Sequence, residues 1–162
     1  MPPEPSILPE ENVWDYRRPP RLERVTWSVI VRFAGLEIAH SNRAHRILET
    51  SHPPTYYIPQ SDIRMDLMAP APGSSFCEFK GPAEYWSIKT DGRESPGAAW
   101  SYPDPTSGYS DIAGDLSFYA NKVDSCQVGG MTVIPQDGSF YGGWITANLT
   151  GPFKGGPGTM GW

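Results

Sequence analysis

The stretch VTWSVIVRFAGLE, Val25 to Glu37, decides the fold class. Val25, Trp27, Val29, Val31 and Phe33 alternate with Thr26, Ser28, Ile30 and Arg32, which is the period-two pattern of a strand burying one face. Ala34 and Gly35 interrupt the run as a tight hairpin turn would, because glycine accepts a positive φ at little steric cost, and a second strand is predicted from Leu36.

Further along, RILE (Arg46 to Glu49) and TYYI (Thr55 to Ile58) read as two short strands joined across TSHPP, whose prolines stop any helix. SDIRMDLM offers Ser61 or Asp62 as an N-cap to one or two helical turns, with Ile63 and Leu67 four apart. APAPGSS (Ala69 to Ser75) reads as a loop. AEYWSIKT (Ala83 to Thr90) is a predicted strand that turns at Asp91-Gly92, with AAWSYP (Ala98 to Pro103) as its neighbour. Tyr109, Ile112 and Leu116 have helical spacing and LSFYA follows, so a short helix and then a strand are expected. The fold class is mainly β with one or two short helices.

Both ends differ from this middle. Residues 1–24 are proline-rich and are expected to run as an extended arm pinned by Trp14 and Tyr16, without regular backbone hydrogen bonding. Residues 25–128 form the core domain. Residues 129–162 combine many glycines with Phe140, Tyr141, Trp144, Phe153 and Trp162, whereas a flexible linker would carry glycine and serine without large rings. This tail is expected to insert its rings into grooves of its own subunit or of a second copy, making a homo-oligomer.

Composition narrows the function classes. A chain of 162 residues is one domain able to hide roughly 70% of its unfolded surface. Hydrophobic content of 38% is low, and 18 Pro with 17 Gly indicate many turns, while six Trp, eight Tyr and six Phe supply apolar area that disordered chains lack. The net charge of -5 disfavours phosphate backbones and anionic lipid, so neither nucleic acid nor membrane is an expected partner. RRPPRLER (Arg17 to Arg24) is the local exception and reads as a solvated, extended segment. The N-terminus lacks a basic and an apolar signal region, and no apolar run reaches the ~20 residues of a span, so a cytoplasmic protein with Cys77 and Cys126 as free thiols is expected.

The motif-like stretches are weak. GPGTMG (Gly156 to Gly161) matches a dinucleotide-binding spacing but has no room for the helix whose amides would hold a pyrophosphate. His40, His45 and His52 with two cysteines never approach zinc-ligand spacing, so no metal and no cofactor is expected. A Cys77–His52 nucleophile pair is conceivable if their strands are adjacent, against the default that Cys77 packs as a small hydrophobe.

CEFKG, EYWSIKTDGR, AAWSYPDP and IAGDLSFYANKV, in that order and spacing, resemble the family of domains of unknown function numbered 427, which carries a nucleotidyltransferase-like label. LETSHPPTYYIPQSDIRMDLM resembles the segment ahead of that family's Cys-x-x-Lys-Gly element, and the likeness runs from about Trp27 to Val128. Glu49, Tyr57, Pro59, Cys77, Lys80, Gly81, Tyr85, Trp86, Trp100, Tyr102, Pro105, Phe118 and Tyr119 stand where the family pattern places them. The arm and tail look like the extensions of a longer, cyanobacterial-type variant. The resemblance implies a compact β-tent, two antiparallel sheets meeting at an angle. It does not bring transferase chemistry with it, because Asp62 and Asp66 do not match the clustered carboxylates that hold magnesium on a triphosphate.

These residues define the expected site. Trp100 and Tyr102 share one face of their strand, while Tyr85 and Trp86 point apart. Lys80 among so many rings costs several kcal/mol unless a carboxylate or ring face compensates it; either it snorkels to solvent along the rings, or it stands at the mouth of a ring-lined site with Glu49 as the nominated partner. The expected function is a small-molecule binding module in which Tyr57, Trp86, Trp100 and Tyr102 line a cavity and Lys80 with Glu49 orients the guest. The alternatives are an enzyme using Lys80, with Cys77 as an outside nucleophile, and an oligomeric interaction protein using arm and tail.

Overall fold

Val29–Phe33 pairs antiparallel with Leu36–Ser41 in a computed structural model that describes residues 8–77, 80–136, 142–155 and 158–159. Val29, Val31 and Phe33 are buried, as the alternation requires. Ala34 and Gly35 have φ of 53° and 75°, the pair of positive values a two-residue hairpin turn needs. The unusual Ala34 is held by its amide, which donates to Asp124 Oδ2 at 2.8 Å. The strand starts at Val29 and not at Val25, whose amide instead bonds to the Ala44 carbonyl at 2.9 Å.

Two four-stranded antiparallel sheets carry most of the chain. The first has the order Met131–Thr132, Ser125–Val128, Val29–Phe33, Leu36–Ser41. The second runs Leu116–Phe118, Glu94–Ser101, Gly81–Lys89, Met68–Cys77. A three-stranded sheet of Arg21–Arg24, His45–Leu48 and Thr55–Tyr57 adjoins the second through a bridge between Ile58 and Leu116. Two two-stranded pairs tie in the ends: Glu11–Asn12 with Leu149–Thr150, and Ile134–Pro135 with Trp144–Ile145. The helical elements among the described residues are 3-10 turns, of which Ser107–Ile112 is the longest. The expected capping at Ser61 or Asp62 does not occur, since Gln60–Asp62 and Met65–Leu67 are separate turns.

Two expectations fail for physical reasons. APAPGSS is not a loop but part of the strand Met68–Cys77. Pro70 and Pro72 are tolerated because this is the sheet's edge strand, and the register shifts between Ala71 and Ser74, where Gly73 has φ 103°. Arg21–Arg24 likewise is not an arm without regular hydrogen bonds: it pairs antiparallel with His45–Leu48 from Arg21↔Leu48 to Arg24↔His45.

Packing divides into two clusters. The larger is mostly aliphatic and gathers Val29, Val31, Ile38, Ile58, Ile88 and Leu116 with Phe33, Phe118 and Trp144. The smaller is mostly aromatic: Tyr57, Trp100, Tyr102, Tyr109 and Tyr119 around Ile47, Ala83 and Ile112. Trp144 reaches the core of its own chain, fully buried and stacked on Tyr56 at 5.3 Å. Phe140, Tyr141 and Trp162 lie outside the described residues, as does the Gly156–Gly161 motif in large part.

Candidate functional site

The aromatic cluster encloses a cavity of about 400 Å³, within the range of small-molecule sites. Its walls come from four places. His45–Leu48 and the turn after it supply Ile47, Glu49 and His52; Thr55–Tyr57 supplies Tyr57; the second sheet supplies Cys77, Tyr85, Trp100 and, just beyond its strand, Tyr102; the tail supplies Gln136, Gly142 and Lys154. Strand alternation explains the ring faces. Tyr85 turns to the cavity and Trp86 turns to the aliphatic core, where its indole N–H donates to Ser101 Oγ at 3.0 Å. Trp86 is therefore not a lining residue, and Tyr85 and Tyr119 stand in its place. The other nominated residues, Glu49, Tyr57, Cys77, Lys80, Trp100 and Tyr102, are brought together around the one space.

The rings hold one another. Tyr57 meets Trp100 edge-on with centroids 6.2 Å apart, and Trp100 leans on Tyr119 at 4.6 Å. Gly142 lies flat on Trp100, so a Cβ there would come within 2.1 Å of the indole. Burial pushes the Tyr119 hydroxyl up to about 12 and that of Tyr102 upward as well, so both are neutral at physiological pH.

Lys80 follows the edge strand and precedes Gly81, whose φ of 98° turns the chain into the next strand. The residue is buried, with 9% of its surface exposed, and its ammonium has no hydrogen-bond or ion-pair partner among the described residues. Its nearest compensation is the face of Tyr102, 5.7 Å from Nζ to the ring centroid. Desolvation works against the ammonium, but the opposing pull of Tyr57, Cys77 and Glu49 carries the balance upward, so Lys80 remains a cation at neutral pH. Tyr57 is fully buried beside it, and its hydroxyl also lacks a partner among the described residues.

Glu49 is not the direct partner of Lys80. Its carboxylate pairs with Arg18 at 3.6 Å and lies 3.6 Å from His52 Nε2, because the N-terminal arm folds back over this turn. The Thr50 hydroxyl donates to the Tyr16 carbonyl in the same place. His52, Gln136 and Lys154 were not among the expected site residues. Gln136 Nε2 donates to the Lys154 carbonyl at 2.5 Å and sits 3.4 Å from His52 Nδ1, which knits the tail to the cavity rim. Only His52 had a sequence signal, as the conceivable partner of Cys77; Gln136 and Lys154 had none.

Burial, with Lys154, Arg18 and Lys80 nearby, pushes His52 down to about 4. Between pH 6.5 and about 4 the unfolded chain therefore binds a proton that the folded chain refuses, and stability falls on acidification by about 3 kcal/mol. Asp115 opposes this: burial raises it to about 6, so the folded chain holds an extra proton as pH falls from 6 towards 3.8, and stability rises. The two act in opposite directions between pH 6 and about 4. Asp115→Asn removes the opposing group and is expected to expose the His52 slope as a loss of about 2–3 kcal/mol between pH 6.5 and 4 in urea titrations. An unchanged pH profile in that variant would place the His52 proton elsewhere.

No three His, Cys, Asp or Glu side chains gather to hold a metal ion among the described residues. Cys77 and Cys126 are both free thiols; Cys126 is buried in the aliphatic core and pushed up to about 12, while Cys77 is half-buried at the cavity. No helix is long and apolar enough to cross a membrane among the described residues.

Fold and site together define a mainly β domain whose aromatic cluster surrounds a lysine-bearing hollow. The chain belongs to the family described as a domain of unknown function, DUF427, whose model matches residues 21–129. The match begins at the Arg21–Arg24 strand and ends one residue after Ser125–Val128, so the tail residues Gln136, Gly142 and Lys154 of the cavity wall stand outside it. No curated protein matches the chain.

Proposed function

We propose that the protein is a small-molecule binding module whose guest sits in the aromatic cavity with Lys80 as its polar anchor. One observation supports this above the rest: a buried lysine whose ammonium meets a ring face and no carboxylate, on the wall of a cavity of about 400 Å³. Its neighbours hold it charged without giving it an ion pair, so the charge stands available to what enters the hollow. The tail walls supplied from outside residues 21–129 support reading the chain as a longer variant of the family, with a pocket completed by its own extension.

Native mass spectrometry of freshly purified protein tests the reading. Lys80→Met is expected to keep the fold, since the methionine retains most of the apolar stem, and to lose a co-purifying guest. Unfolding of Lys80→Met would make Lys80 a structural residue instead. An enzymatic second reading draws on Cys77 and His52 facing the same hollow, with a neutral imidazole available as a base. Selective modification of Cys77 over Cys126 by a thiol probe at neutral pH, blocked in His52→Ala, would favour it; equal inertness of both thiols leaves the binding module.

A further inference from the structure

Resting on the reading of the cavity as a small-molecule site, we propose that its occupant is a flat monocarboxylate: a ring or conjugated body lying between the aromatic walls, with one carboxylate held by the Lys80 ammonium and the Tyr57 hydroxyl.

The charge argument comes first. Of the side chains lining the hollow, Lys80 and Lys154 are cationic and Glu49 is anionic, and the Glu49 charge is already met by Arg18 at 3.6 Å. On a chain of net charge -5 this is a local positive surplus, which attracts an anion where the rest of the surface repels one. The donors argue next. The buried Tyr57 hydroxyl lacks a hydrogen-bond partner among the described residues, the Lys80 ammonium meets only the face of Tyr102, and both residues line the same cavity. Both can donate, and a carboxylate presents two acceptor oxygens, one for each.

The headgroup is a carboxylate and not a phosphate. Lysine alone serves either anion, but phosphate sites commonly add an arginine fork, a helix N-terminus or a nest of backbone amides, and among the described residues no arginine and no residue of a helical turn lines the hollow. The body is flat because the remaining walls are ring faces and edges: Tyr85, Trp100, Tyr102 and Tyr119, with Gly142 keeping the slot open against the Trp100 indole.

Titration of the full chain by calorimetry and tryptophan fluorescence tests this with cinnamate, cinnamamide, phenyl phosphate and acetate as probes. Cinnamate is expected to bind about ten-fold or more tightly than each of the other three, which lack respectively the charge, the single charge and the body. Lys80→Met is expected to weaken cinnamate by about ten-fold or more, and Tyr57→Phe, which changes no described hydrogen bond of the fold, by about three- to ten-fold. Equal binding of cinnamamide and cinnamate, or tighter binding of phenyl phosphate, overturns the carboxylate class and leaves the cavity reading standing. Failure of every probe, together with no co-purifying molecule in the mass spectrum, overturns both.

Discussion

Trp144→Ala is expected to destabilise the protein by about 3–5 kcal/mol, although Trp144 lies outside the residues that the family model matches. Its side chain is fully buried, stacks on Tyr56 with an interplanar angle of 24°, and donates its indole N–H to the Phe118 carbonyl at 2.8 Å. Its amide also bonds to the Pro54 carbonyl at 2.8 Å, on the segment leading into Tyr57. Truncation to alanine therefore opens a ring-sized void and leaves the Phe118 carbonyl unpaired in the interior, two costs that add. For a chain of this size the melting temperature should fall by roughly 6–20 °C. Trp144→Phe, which keeps most of the packing and loses the donor, should fall between. A loss under about 1 kcal/mol for Trp144→Ala would mean that the tail only decorates the domain. The same reasoning bears on the cavity, because Gly142 and Gln136 reach its wall through the backbone that Trp144 anchors: Gln136 donates its amide to the Gly143 carbonyl at 3.1 Å.

How much of this was legible depends on whether the deciding contact was local. Alternation from Val29 to Phe33 and the Ala34-Gly35 turn are properties of neighbouring residues, and both appear where the sequence places them. The rings Trp100 and Tyr102 share a face for the same reason. Met68–Cys77 was hidden because its prolines read as loop, and only the sheet order reveals an edge strand where a missing N–H does no harm. The divergence of Tyr85 and Trp86 was legible, but which of them faces the hollow depends on the bulge between Trp86 and Ile88 and on what packs above each face. Glu49 as the partner of Lys80 failed on a long-range contact: Arg18, 31 residues earlier, reaches the carboxylate first because the arm doubles back. The Lys154 contribution to the cavity wall is longer-range still, and a lone lysine in a glycine-rich tail carries no period or motif to announce it.

The buried Arg46 shows the same doubling back as an energetic matter, and replacing it should cost about 3–5 kcal/mol. Its side chain is 6% exposed, donates from Nε to Glu23 at 3.0 Å and from Nη2 to Glu11 at 3.1 Å, and lies 5.3 Å from the Trp27 ring centroid. Glu23 belongs to the Arg21–Arg24 strand, and Glu11 to the Glu11–Asn12 pairing with Leu149–Thr150, so one guanidinium holds together the arm, the tail and the strand whose next residue, Ile47, faces the cavity. Desolvation disfavours the charge, but the surrounding Tyr56, Glu11 and Glu23 outweigh it and hold Arg46 above the ordinary arginine value. Arg46→Met keeps the volume and takes the buried cation from two carboxylates that are only 18% and 27% exposed, leaving Glu11 the Tyr16 hydroxyl and Glu23 the exposed Arg21, so most of the loss comes from their poorly compensated charge. Adding Glu11→Gln and Glu23→Gln to Arg46→Met should then restore over half of the stability in urea unfolding, whereas Arg46→Lys, with no fork to span both carboxylates, should recover little. If the triple variant is as weak as Arg46→Met alone, the guanidinium acts through its packing on Trp27, and the charge network is incidental to how the arm is held.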